Sequence, residues 1–253
     1  MLFGSTSKNI TILTIFSTIV SCVGFLNPAM FTVVNMMITV VSFYILNICG
    51  IWMMHHRYFS HRSFEFQNSA VKWIFTIISI LAGRGSPLGW VYLHRKHHRY
   101  SDTEKDPHSP KFLGYKLFGF GHMKSQEEEK MDVFSVKDLM TKEQLFIHKW
   151  YMAIMGVFII SFMLIDLELF YFVWALPALV IQLSQHNFNY FGHTFGYRNS
   201  ETKDDSRNNA YLFPIILGEA WHNNHHADPK NYTTKKMPHE VDPIAWVINR
   251  IKI

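Results

Sequence analysis

The chain has 253 residues; 49% are hydrophobic, only 17% are charged, and the formal net charge is +5 at pH 7. That length suits one domain, and the charged fraction falls below the roughly one quarter usual for soluble domains. The two cysteines, Cys22 and Cys49, lie inside apolar blocks, which excludes a disulfide framework and a paired-cysteine zinc site and leaves them as small hydrophobes.

In chain order, the first predicted element is the uncharged run Ile10–Leu26, and the second extends, after Asn27-Pro28, from Ala29 to Trp52. Each approaches the ~20 residues that span a bilayer. A cleavable signal peptide fits the first run poorly, because its positive region is Lys8 alone and no small-residue cleavage site precedes the next apolar run. A third span covers Phe146–Ile165. A fourth covers 169–187, its most apolar part ending at Leu183, and only Asp166, Leu167 and Glu168 separate the two. The reading is an all-α integral membrane protein with four transmembrane helices in two hairpins.

Neither hairpin tip contains Lys or Arg, whereas segments 53–145 and 188–253 are rich in both. The positive-inside rule therefore predicts cytoplasmic termini and a cytoplasmic helical cap built from those two segments. It also explains the net charge as orientation and contact with anionic lipid, so no nucleic-acid partner is needed. Two further apolar runs, Val71–Ala82 and Tyr211–Leu217, are too short to span. The first reads as an amphipathic helix at the membrane interface, the alternative being a buried helix of a soluble domain. Gln126–Lys130 reads as a solvated charged run.

The fifteen histidines are not scattered. His56 and His61 form an HxxxxH directly after the second span; His94, His97 and His98 form an HxxHH; His222, His225 and His226 form another. On a helix, positions i, i+3 and i+4 share a face, so each HxxHH can present three imidazoles to one side. Neutral imidazole ligates Fe, Zn, Cu and Ni. The i, i+5 pair does not share an α-helical face, which leaves His56 and His61 either reaching two different metals or straddling a helix end. Eight clustered imidazoles exceed what one tetrahedral or octahedral ion takes, so the count points to two nitrogen-bound ions. A metal transporter would place ionisable ligands inside its spans; here the clusters lie outside nearly charge-free spans, which favours a fixed cofactor.

These segments resemble the three histidine boxes of membrane fatty acyl desaturases, in the acyl-CoA, delta-9-like branch of bacterial type: His56-Arg-Tyr-Phe-Ser-His61-Arg62, His94-Arg-Lys-His97-His98-Arg99-Tyr100-Ser101-Asp102 and Trp221-His222-Asn-Asn-His225-His226. The flanking Asp106-Pro-His108-Ser-Pro and Asp204-Asp-Ser-Arg-Asn-Asn209 look like that branch too, and related hydroxylases and ketolases carry a shorter first box. The resemblance implies one more site, Asn189-Tyr-Phe-Gly-His193, with His193 as the ninth imidazole ligand and Asn189 holding a metal through water. It implies two iron ions that use dioxygen to convert adjacent methylenes of a bound acyl chain into a cis alkene. It implies acyl-CoA as the substrate form (acyl-lipid and acyl-carrier protein being the alternatives), and an electron donor such as ferredoxin or a cytochrome b-type carrier with its reductase. Hydroxylation on the same scaffold is the runner-up reading.

Candidates to orient the ligand histidines are Asp102, Glu104, Asp106, Asp205, Glu219 and Asp228, because metal-bound imidazoles hand their second nitrogen to an acceptor. Arg62, Arg95, Lys96 and Arg99 are open between a phosphate-bearing carrier and an ion-pair or lipid-facing role. The other histidines, His55, His108, His122, His148, His186 and His239, are expected to be non-ligands. Relative to that family, Gly119–Met123 lacks tryptophans, the tail after the third box is short, and Ala220 stands where glycine is usual.

Overall fold

A computed structural model describes residues 6–114 and 131–253. His122, Gly119–Met123 and Gln126–Lys130 lie outside the described residues. The architecture is helical, and no strand longer than an isolated bridge occurs among the described residues.

Four helices are long and apolar enough to cross a membrane: α1 (Thr6–Gly24), α2 (Val33–Ser60), α5 (Lys142–Ile165) and α6 (Leu167–Thr194). Between them lie α3 (Ser69–Leu81) and α4 (Pro87–Tyr100); α7 (His222–Ala227) and α8 (Pro243–Ile251) follow. Local chemistry sets the starts. Thr32, Asn68, Ser86, Thr141, Asp166 and Asp242 each accept a backbone N–H from the first turn of the helix they precede, the usual role of a short polar side chain at that position. Pro87 and Pro243 occupy first helical positions, where the missing N–H costs nothing.

α6 packs against α1 and α2, and α2 packs along α3. The α2–α3 contact is close because Gly50 faces the Ile78 carbonyl and Ala82; a Cβ there would come within 3.0 Å of that oxygen. The spans bury their aromatic residues inward, with Phe170, Phe172, Trp174 and Tyr151 fully covered, and point Ile19, Val23, Val33, Leu164 and Ile165 outward. Outward aliphatic side chains with no partner suit lipid. α3 follows the same rule: it buries Thr76 and Ser79 and exposes Trp73, Ile74 and Ile77, in keeping with a helix lying against the bilayer.

Two helices run farther than their apolar stretches. The second apolar run ends at Trp52, but α2 continues to Ser60 and carries the first histidine box into the body of the protein. The fourth apolar stretch is expected to end at 187, but α6 continues to Thr194 and so carries Asn189 and His193. Polarity ended the apolar runs without ending the helices, because Gly50 to Ser60 is buried throughout and finds its partners inside the fold.

Candidate metal centre

The last four turns of α2 are π-helical, from Ile45 to Ser60. The His61 N–H donates to the His56 carbonyl at 3.2 Å, an i→i+5 bond. That winding stacks His61 over His56, so an i, i+5 pair that α-helical geometry would splay apart points one way. Of the alternatives left open by the spacing, the pair straddles a helix end, His61 being the residue just past Ser60, and both rings fall in one group.

The nine histidines of the three boxes and Asn189-x-x-x-His193 converge into two groups. One is His56, His61, His94, His98 and His225; the other is His97, His193, His222 and His226. Within each group one nitrogen per ring lies within 4.8 Å of every other. Neither HxxHH presents all three imidazoles to one ion. In each, i and i+4 go to one group and i+3 to the other: His94 and His98 against His97, His222 and His226 against His225. The two middle rings cross over and knit the groups together.

Carboxylates fix the outer nitrogens. Asp106 Oδ1 lies 2.9 Å from His97 Nδ1, Asp102 Oδ2 2.9 Å from His193 Nδ1, and Asp204 Oδ2 2.8 Å from His226 Nδ1. Glu219 Oε2 lies 2.9 Å from His56 Nδ1. An ionised carboxylate only accepts, so His97, His193 and His226 carry a proton on Nδ1 and turn Nε2 inward, whereas Glu219 meets His56 as a close contact without hydrogen-bond geometry. The inner nitrogens then crowd. His56 Nε2 is 2.9 Å from His225 Nε2, His61 Nε2 is 2.8 Å from His94 Nε2, and His193 Nε2 is 3.0 Å from His222 Nε2. His97 Nε2 and His226 Nε2 are buried with no hydrogen-bond partner. Ligands at right angles around an ion, each about 2.1 Å away, sit about 3 Å apart, so the donor sets fit two metal ions.

The electrostatics agree for most of the rings; His97 is the exception, because burial is outweighed by Asp106 beside it, which raises it above the ordinary imidazole value. Burial, reinforced by the neighbouring imidazoles, holds His61, His94, His98, His222 and His225 well below the ordinary imidazole range, which keeps them in the neutral, ligating form. Burial likewise takes His226 down to about 4. Burial also penalises the charge on Asp102, Asp106 and Asp204, but their histidine partners outweigh it and leave all three below the usual carboxylate range.

Among the six orienting candidates, Asp102, Asp106 and Glu219 hold ligand histidines. Glu104 and Asp228 are exposed and do not. Asp205 is corrected to its neighbour Asp204; the Asp205 backbone N–H instead donates to Asp102 Oδ2 at 2.7 Å. Nothing in the spacing separated the two adjacent acids, because the choice depends on how the 198–209 loop folds back over α7. Glu219 also binds Arg57, which sequence reasoning passed over: Arg57 Nε donates to Glu219 Oε1 at 2.7 Å, and its other nitrogens grip Asp242 at 2.9 and 3.2 Å. All three residues are buried. Arg62 and Arg95 converge on Asp138, so they form ion pairs rather than a phosphate site.

His55 stacks on Trp90, His148 meets Ser86, and His239 meets the Tyr197 hydroxyl. With His108 and His186, they stand outside both groups. Asn189, one turn before His193, lines a cavity together with His97 and His222 of the four-histidine group and His94 of the other.

Four helices long and apolar enough to cross a membrane, joined to a carboxylate-braced pair of histidine clusters that could hold metal ions, define the class of protein. The sequence model of the fatty acid desaturase family matches residues 28–246, and the chain belongs to that family. It is 30% identical to "Delta-9 acyl-lipid desaturase 2" of Arabidopsis thaliana over 91% of this chain and 76% of the relative. It is 33% identical to "sn-1 stearoyl-lipid 9-desaturase" of Synechocystis over 70% of this chain and 56% of that one. It is 28% identical to "Hex-5-enoyl-[acyl-carrier protein] acetylenase" of Moorena producens over 74% of this chain and 64% of that one. For the latter two, the chain spans less than two thirds of the relative's length.

Proposed function

We propose that this protein is a fatty acyl desaturase that forms a cis double bond, at a delta-9-like position, at a di-iron centre. The supporting observation is the paired histidine groups, in which His97, His193 and His226 each donate an outer N–H to an aspartate while the inner nitrogens face each other. In this reading His56, His61, His94, His98 and His225 hold one iron. His97, His193, His222 and His226 hold the other, with Asn189 completing it through water. When bound, the irons supply dioxygen reduction and the oxidising equivalents for C–H removal. The balance is one –CH2–CH2– unit, one O2, two electrons and two protons giving one –CH=CH– unit and two waters.

The chain's own residues position and exclude. Asp102, Asp106 and Asp204 keep their ligand rings in one tautomer and orientation, and Glu219 braces His56. The buried core around Trp52, Trp90 and Phe188 keeps bulk water from the metals. The two electrons come from outside, since this sequence shows no flavin, haem or iron–sulfur motif; a ferredoxin or a cytochrome b-type carrier with its reductase fits. The whole chain acts as one membrane domain with its termini and metal centre on the cytoplasmic side. The substrate carrier is an acyl-lipid, acyl-CoA or acyl-carrier protein, and the relatives' names weight it towards acyl-lipid.

Expression in a host lacking unsaturated fatty acids, with double bonds mapped by lipid mass spectrometry, tests the reading. A cis-monounsaturated product and about two irons per chain are expected. An alcohol in place of an alkene would move the protein to the hydroxylases. Full activity in Asn189→Ala or His193→Ala would remove those residues from the centre.

A further inference from the structure

Arg84 is a cation buried without a carboxylate partner among the described residues. It is 5% exposed. Its Nη1 donates to the side-chain oxygen of Gln182, and its buried Nε meets no acceptor among the described residues. The buried carboxylates are engaged elsewhere: Asp106 holds His97, Glu219 and Asp242 hold Arg57, and Glu240 takes Asn199, Asn224 and Tyr197. Burial lowers Arg84 only to about 10, so it stays charged at neutral pH.

The turn that carries it is pinned on both flanks. Gly83 and Gly85 have φ angles of 75° and 85°, a region that favours glycine. Gln182 Nε2 donates to the Gly83 carbonyl at 3.3 Å, and the Gly85 N–H donates to the Tyr151 hydroxyl at 3.1 Å. The first turn of α1 closes over the same place: a Cβ on Gly85 would come within 2.8 Å of Thr6 Cγ2. None of these contacts brings a charge.

Arg84 lines a cavity whose wall is mostly polar; Thr11, Gln185 and Asn189 line it, with His94 and His97 on the side of the metal centre. Neutral dipoles and water can satisfy an N–H group, but they leave a buried charge uncancelled, and a buried charge is costly until a counter-charge meets it. A polar wall beside such a guanidinium suits a compact ion rather than an aliphatic chain. We propose that a small inorganic monoanion of the halide class binds in this cavity as the counter-ion of Arg84. The guanidinium gives it charge-assisted N–H donors, and the pinned turn holds those donors in place before the ion arrives. The site is independent of the acyl carrier and of the reaction at the metals.

Chloride-35 NMR of the purified, metal-loaded full-length protein in lipid nanodiscs tests this, with sodium gluconate holding the ionic strength constant and empty nanodiscs as the blank. Bound chloride relaxes fast, so the parent is expected to broaden the chloride line saturably, and bromide should remove the excess. Arg84→Met should weaken chloride binding roughly ten-fold or more, the scale of a charge-assisted bond, at unchanged metal content. Arg84→Lys should keep most of it. Arg84→Gln, neutral but hydrogen-bonding, takes the place of the methionine variant should that one fail to melt like the parent. Crystals of the parent grown in bromide should show an anomalous-scattering peak against the guanidinium. No excess broadening by the parent, an excess that survives loss of the charge, or bromide found only at the metals would overturn the proposal. The measurement needs neither dioxygen nor electrons. A protein that binds chloride at Arg84 yet desaturates nothing keeps the anion site and loses the catalytic reading; a working desaturase whose chloride signal ignores Arg84 does the reverse.

Discussion

The two histidine groups are held by different means. In the four-histidine group, three of the four rings have their own aspartate: His97 with Asp106, His193 with Asp102, His226 with Asp204. In the five-histidine group one ring, His56, meets a carboxylate, and that Glu219 is shared with Arg57. The other rings of the larger group are set by packing: His94 stacks on Trp90 at 4.8 Å, and His61 and His98 sit edge-on at 4.6 Å. The smaller group is thus oriented by several independent hydrogen bonds, whereas the larger one leans on helix geometry and on a single buried ionic node. Losing one brace should cost the first little structure and the second a great deal.

The sharpest way to break that contrast is Glu219→Ala. It strips a fully buried Arg57 of one of its two carboxylates and His56 of its acceptor, so a loss of about 3–5 kcal/mol is expected, the range for breaking a buried ion pair. Thermal unfolding measures it. Metal analysis on the folded remainder should show the chain falling towards one ion. A stable variant that retains two ions would show that Glu219 is not the node. Gly218→Ala should act on the same node from the backbone, because its Cβ would come within 2.2 Å of Asp242 Oδ1.

Smaller and separable effects are expected at the aspartates. Asp106→Asn, Asp102→Asn and Asp204→Asn should each weaken metal retention about 10–100-fold with the fold intact, the usual result of losing the partner of a ligand histidine. Competition with a chelator reads it. Equal losses of structure at Glu219 and at these aspartates would erase the distinction between the two groups.

The smallest effect belongs to Asp138, which joins Arg62 of the first box to Arg95 of the second. Its hydrogen bond from Arg95, with further help from Arg62, holds its carboxyl at about 2. A depressed carboxyl stabilises the fold above the ordinary aspartate range and loses that contribution as pH falls from about 4 to about 2. Asp138 is 43% exposed, so Asp138→Asn should cost no more than about 1 kcal/mol. It should also flatten the stability curve in that acid window. A multi-kcal/mol loss at neutral pH would make the Arg62–Asp138–Arg95 contact a second node of the larger group.

Legibility followed range. The apolar runs marked all four long helices, although α2 and α6 continue past them into a polar interior. Arg57 and Asp242 stand 185 residues apart, and their bond is as short as a local one; no pattern of spacing announces such a pair. Arg84 carries no signal in the sequence, because only the fold shows that it is buried.

By itself the spacing in the sequence determined that eight histidines gather; the ninth, His193, came from the family resemblance. Imidazoles at i, i+3 and i+4, repeated beside apolar runs, have few uses other than holding metal, and eight are too many for one ion. Only the tertiary structure decided how they divide. The i and i+4 rings of each HxxHH go to one group and the i+3 ring to the other, and the π-helical end of α2 turns His56 and His61 towards a common point. Spacing along a chain fixes angles about one helix axis. Which ion a ring reaches depends on where the neighbouring helices stand, and that is set by packing between residues far apart in sequence.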